Sequence, residues 1–198
     1  MNKFIGSIVL FAFLFQCSHA YDMYDNSAEV YTKIQQKTNK KTLQRFDLLD
    51  KLLIESQKKN FLQKLNMANK FVNQVNYLLD QYHWRKEDYW ATPYEFISTG
   101  AGDSEDFALM KYYVLMLMGI DEKKLKLMSY QKENKQTVKY KTKTVVDPQY
   151  IVLAYFHNED SVPLIFDTVH KKIYKEPNAV YLKELMRSKN KTFDELYR

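Results

Sequence analysis

The stretch Gly100-Ala101-Gly102-Asp103-Ser104-Glu105-Asp106-Phe107 decides how the chain is read. Glycines 100 and 102 interrupt whatever precedes them. Beyond them Phe107, Ala108, Met110, Tyr112, Val114, Leu115 and Leu117 leave little polar surface between about 104 and 118. Such a segment predicts a helix that is central to a core rather than laid on its surface. Gly119 stands where a C′ glycine would end it. A nucleophile-type side chain, Ser104, therefore opens a buried helix with acidic residues on both sides. Unpaired backbone N–H groups and the helix dipole favour negative charge there. A cysteine at that place would have a lowered pKa and be a competent thiolate. A serine keeps its proton unless a positioned base removes it. Spacing alone favours Ser104 as a simple N-cap, for which serine is a preferred residue.

Upstream, Thr92-Pro93-Tyr94-Glu95 has the pattern of a capping box with proline at the first helical position, so a short helix is expected from there to the glycines. Phe61, Leu65, Phe71, Val72, Val75, Leu78 and Leu79 recur at three- and four-residue steps and predict one helix over about 57–82. Residues 28–55, rich in Lys, Gln, Leu and Glu and free of breakers, predict another.

Downstream the period changes. Leu125, Leu127 and Ser129 alternate with polar or charged neighbours, and 137–146 alternates Thr, Val and Tyr with lysines. Residues 149–156 and 162–166 read as continuous strands, Ile173-Tyr174 as a short one, and 178–187 as a closing helix. Helices first and consecutive strands after describe an α+β domain, with a central helix packed on an antiparallel sheet.

The N-terminus reads as an export signal over 1–20. Lys3 is followed by an apolar run from Phe4 to Phe15 and by a small-x-small site, Ser18-His19-Ala20. Cleavage after Ala20 is the favoured outcome; a lipid-anchored Cys17 and an uncleaved anchor are the alternatives. Cys17 is the sole cysteine. Beyond the signal the chain can form no disulfide and must be stabilised by its core. A helical segment over 21–56 and a domain over 57–198 complete the expected organisation. No later stretch is long and apolar enough to span a membrane. The net charge of +6 comes from scattered lysines with few arginines, which describes a solvated surface and excludes nucleic-acid binding as the expected function.

Longer motifs carry a resemblance. Asp88-Tyr89-Trp90-Ala91-Thr92-Pro93-Tyr94-Glu95-Phe96, Gly100 to Ala108, Lys111-Tyr112, Leu117-Met118-Gly119-Ile120, Tyr150-Ile151-Val152-Leu153-Ala154-Tyr155 and Pro163-Leu164-Ile165-Phe166-Asp167 follow one another. They resemble the bacterial transglutaminase-like cysteine peptidases of the LapG type, over roughly residues 60–175. The resemblance implies a papain/transglutaminase-like fold and a Cys-His-Asp triad. Carried across, the cysteine position is Ser104, the histidine position Tyr150 and the aspartate position Asp167. Only the aspartate is retained. A tyrosine with a pKa near 10 is a poor base at neutral pH. The three histidines of the mature chain, His83, His157 and His170, read as exposed loop residues, His157 in a turn past the end of its strand and His170 in a turn three residues after Asp167.

The same resemblance implies calcium bound by the carboxylates flanking the nucleophile, Asp103 and Glu105, with further oxygen ligands completing the shell. Asp106 reads as a helix cap, an edge ligand, or both. The expected protein is a periplasmic family member with impaired catalysis, acting by binding a surface adhesin segment or an inner-membrane cyclic-di-GMP receptor. Two other readings stay open: an active peptidase with Ser104 as nucleophile, and a calcium-stabilised structural domain.

Overall fold

A computed structural model describes residues 40–130, 137–140, 143–146, 150–178, 180 and 182–185. The signal over 1–20 and the start of the expected 28–55 helix lie outside these residues. Helix α1 spans Lys40–Ser56 and buries Leu49 and Leu53 in the main core. Helix α2, Phe61–Val72, starts at a complete capping box in which the Asn60 side chain and the Gln63 amide, and the Gln63 side chain and the Asn60 amide, are paired.

The single helix expected over 57–82 does not form. It stops at Val72, and Asn73 caps it while its side chain donates to Asn69 Oδ1 at 2.9 Å. The apolar residues beyond Asn73 follow another structure. Strand β1, Asn76–Tyr77, pairs in parallel with β2, Ala101–Gly102, and the amides of Asn76 and Leu78 donate to the carbonyls of Gly100 and Gly102. A one-turn helix, α3 (Asp80–His83), follows. The helical spacing is real, but beyond Asn73 the amides of Asn76 and Leu78 are satisfied by pairing to the glycine segment instead of by continued helix.

Helix α4, Pro93–Thr99, has the expected capping box and ends at Gly100, whose φ of 69° is left-handed. Two side chains from α1 hold that end. Thr42 Oγ1 donates to Ser98 O at 2.8 Å, and Arg45 donates to Ile97 O and Ser98 O at 2.6 and 2.7 Å. These orphan carbonyls of a helix C-terminus are thereby satisfied by a cation, the favourable sign for that pole.

Helix α5, Ser104–Leu117, is buried without a break from Ser104 to Leu115. It packs on the strand Ile151–Tyr155 and on α2, as its largely apolar composition requires. Gly119 follows with a φ of 82°, and Lys64 Nζ donates to Met118 O at 2.7 Å.

The main sheet has the order β8-β7-β6-β3-β9, antiparallel throughout. Its strands are β3 Leu125–Tyr130, β6 Ile151–Tyr155, β7 Leu164–Phe166, β8 Ile173–Lys175 and β9 Leu182–Glu184. Between β3 and β6 in sequence, β4 (Thr137–Tyr140) and β5 (Lys143–Val146) form a separate antiparallel pair. Alternation sends Ile151, Leu153 and Tyr155 toward α5 and the main core, while Tyr150, Val152 and Ala154 join Met128, Tyr130 and Ile165 in a second cluster.

The closing helix expected over 178–187 is also corrected. Residues 182–184 are a strand, in register with Met128–Tyr130, and Lys126 Nζ lies 3.3 Å from Glu184 Oε2. The open edge of β3 offers this segment a ladder of hydrogen bonds that its own propensity did not signal. The α+β order and the helix-on-sheet arrangement stand as expected.

Candidate functional site

Three elements bring the sequence-derived positions together. Ser104 is the first residue of α5, Tyr150 immediately precedes β6, and Asp167 immediately follows β7. Ser104 is not the N-cap; Asp103 holds that place, with extended backbone and no side-chain capping bond. The capping expectation for Ser104 is thus displaced by one residue. Its hydroxyl is 0% exposed, accepts the Ile151 amide at 3.1 Å and donates to Glu105 Oε2 at 3.2 Å. Both the lone-pair and the proton side of the oxygen are engaged, and water does not reach it.

Tyr150 reaches Asp167. Its buried hydroxyl donates to Asp167 Oδ1 at 3.0 Å and accepts the amides of Thr168 and Val169, each at 3.2 Å. Burial, and then the Asp167 charge, push its pKa far above that of a free phenol. The phenol occupies the partner position of Asp167 as a neutral donor and cannot serve as a base near pH 7.

His170 also touches Asp167, which the sequence did not suggest. Its Nδ1 lies 2.8 Å from Asp167 Oδ2, and its amide donates to Asp167 Oδ1 at 2.7 Å. Its side chain remains 60% exposed, so it is a loop histidine as expected, with the added role of tying a turn to Asp167. His157 sits beyond β6, with Nδ1 3.4 Å from the Tyr155 hydroxyl.

Beneath this group lies Lys111, fully buried on α5. Its Nζ donates to Thr168 Oγ1 at 2.9 Å and to Phe166 O at 3.4 Å, on either side of Asp167 in the chain. Burial lowers its pKa to about 7, with the Asp167 charge opposing that shift. Sequence reading saw only an ordinary lysine inside a motif. The signal available was its position, seven residues after Ser104 on a helix with no polar face.

On the other side of Ser104 the carboxylates crowd. Asp80, Asp103 and Asp106 form one buried group, and Asp80, Asp88 and Glu105 a second, with oxygens within 4.8 Å of one another in each. Asp103 and Glu105 are thus both present, in different groupings, and Asp80 and Asp88 are additions. Asp80 is hard to see in sequence because it follows Leu79 in what reads as an apolar helical face. Asp106 accepts the Ala91 amide through Oδ1 at 2.7 Å, and its buried Oδ2 accepts no hydrogen bond. Asp103 Oδ2 accepts the Asp80 amide at 3.2 Å.

Burial, and then the charge of Asp103, raise the pKa of Asp106 to about 8 and hold Glu105 well above the ordinary carboxylate range. The close approach is allowed by Gly102, where an added Cβ would lie 2.6 Å from Asp106 Oδ2 and 2.9 Å from the Phe96 ring. Clustered hard oxygens, one of them without a donor, are a donor set suited to a divalent cation. These residues could hold a metal.

The fold and this site define a class: a papain-like frame with Ser104 at the head of a central helix and Tyr150 and Asp167 at the ends of two adjacent strands. The chain belongs to the bacterial transglutaminase-like cysteine proteinase family. The family model of that description, BTLCP, matches residues 50–144. Legionella pneumophila LapG is 31% identical, with 79% of this chain and 80% of that chain covered and a TM-score of 0.62. Its calcium-bound structure gives a TM-score of 0.60 at 31% identity, over 79% of this chain and 80% of that one. The EGTA-treated structure gives 0.59 at the same identity, over 79% and 78%. A comparison with curated proteins finds no match. Among the described residues no helix is long and apolar enough to cross a membrane.

Proposed function

We propose that this protein is an exported, periplasmic member of the family that binds a protein partner without cutting it. The partner is a surface adhesin segment or an inner-membrane cyclic-di-GMP receptor, and calcium is held by the carboxylates around Ser104. The observation that carries the reading is the bonding of Tyr150. Its hydroxyl is committed to Asp167 and to two turn amides, so position 150 offers neither an imidazole nor a free base, and the imidazole that does meet Asp167, His170, is an exposed turn residue. A serine nucleophile depends on such a base more than a cysteine does.

Burial of Ser104 supports the same conclusion, since its oxygen is sequestered and both its bonding roles are used. The acidic cluster supports retained calcium, as does the existence of a calcium-bound structure for a relative at 31% identity. The signal-like N-terminus supports export.

Incubating the purified protein with an adhesin fragment, with calcium and with EGTA, tests the reading. The expected result is complex formation without cleavage. Cleavage that disappears in Ser104→Ala would establish an active peptidase instead. Failure to bind either the adhesin or the receptor fragment would favour a calcium-stabilised structural domain.

A further inference from the structure

The carboxylate cluster also grips a loop, and that loop contains both tryptophans of the chain, Trp84 and Trp90. Asp80 holds it at both ends. Its main-chain oxygen accepts the amides of Trp84 and Arg85 at 2.7 and 3.0 Å, and its Oδ2 accepts the Tyr89 amide. Asp106 Oδ1 takes the Ala91 amide at 2.7 Å. Trp90 lies between the two amides that these carboxylates hold, half-buried against the main core. Within the loop Arg85 is left-handed, with φ 57°, the Trp84 and Tyr89 rings meet in a tilted contact 4.8 Å between centroids, and Lys86 Nζ lies 3.8 Å over the Tyr89 ring. Arg85, Lys86, Glu87 and Asp88 are exposed, so the loop is also a surface that another molecule can touch.

A carboxylate has two oxygens and about four lone-pair sites, so it can accept an amide and ligate a cation together. Asp106 is arranged for this: only 1% exposed, it spends Oδ1 on Ala91 and leaves the buried Oδ2 without a hydrogen bond. Buried like charges repel unless a cation lies among them or protons neutralise them, so a bound cation fixes the spacing of Asp80 and Asp106, and of the two amides they hold, in a way that the ion-free carboxylates do not.

We propose that Asp80 and Asp106 link a calcium ion in this cluster to the 84–91 loop, so that occupancy of the cluster sets how firmly the loop is held and where Trp90 sits. The proposal rests on the calcium reading given above. The ion's effect is then carried to a partner-accessible surface without passing through Ser104, Tyr150 or Asp167.

Calcium chloride titrated into the mature chain tests it, with magnesium and EGTA as comparisons. Ion binding is followed by calorimetry, loop state by tryptophan emission and by amide hydrogen exchange over 84–91. Trp84→Phe and Trp90→Phe assign the emission. Calcium is expected to shift the Trp90 signal and to slow exchange of the Tyr89 and Ala91 amides about tenfold or more. Asp106→Asn keeps an acceptor for the Ala91 amide while removing the charge. It should hold the loop in EGTA and lose the response to calcium, with circular dichroism confirming its fold. Calorimetric binding with unchanged emission and exchange over 84–91 would overturn the coupling and leave the calcium reading standing. Absence of binding would remove both. The wild-type exchange data decide between these outcomes even where Asp106→Asn does not fold.

Discussion

Tyr150 ties Asp167 to the turn that follows it, and its contribution is measurable apart from any reaction. Tyr150→Phe keeps the ring and removes the one oxygen that joins Asp167 to the amides of Thr168 and Val169. Buried polar groups left without a partner are costly, so the variant should lose about 1–3 kcal/mol in urea unfolding. An unchanged midpoint would mean that the turn does not depend on the phenol. Gly102→Ala tests the other side of Ser104. Its methyl would press on the Asp106 carboxylate and the Phe96 ring, and the overpacking should cost about 1–3 kcal/mol. The loss should be accompanied by weaker calcium binding, because Asp106 must move. Ser104→Ala, which removes only a hydroxyl, should leave partner binding intact.

The elements divide into those that local pattern specifies and those that distant pairing specifies. Helices α4 and α5 were legible because each carries its own punctuation: Thr92, Pro93 and Glu95 at one start, glycines at the stops. The 57–82 helix and the 178–187 helix were misread for a common reason. Both segments give up helical bonding for backbone partners that lie far away in sequence, Gly100 and Gly102 for one and β3 for the other. Motif order was enough to single out Ser104, Tyr150 and Asp167, which the fold brings near one another, but Asp80, Asp88, Lys111 and the His170 contact were not legible, since only folding brings them to the site.

Lys111 gives α5 a pH signature. An unfolded lysine holds its proton to about pH 10.4, whereas this one loses it near pH 7 in the fold. Between those values the unfolded chain binds more protons, so this residue makes stability rise with pH. The slope reaches at most about 1.4 kcal/mol per pH unit. Chemical denaturation of the wild type and Lys111→Met from pH 7 to about pH 9.5 should show the wild type gaining stability relative to the variant as pH rises, because the opposing contributions of Glu105 and Asp106 are common to both.

At the scale of the whole molecule, the acidic group joins α3, the loop beyond it and the head of α5, which are separate in sequence and meet at these carboxylates. A cation that binds only the folded arrangement stabilises all of them together, by about 2.7 kcal/mol at a free concentration a hundred times its dissociation constant. Thermal unfolding should therefore shift upward with calcium and return with EGTA, and Asp103→Asn should shrink the shift. The site's other half is just as distributed, over α5, the start of β6 and the turn that runs from Asp167 to Lys172, where the Asp167 amide meets the Lys172 carbonyl at 2.9 Å. With two of its amides aimed at the Tyr150 hydroxyl, the backbone of that turn is a mould for a phenol. A histidine at 150 has a shorter reach and would leave those amides without their acceptor. Ser104→Cys with Tyr150→His should therefore unfold more readily than the present chain, whatever cleavage it shows.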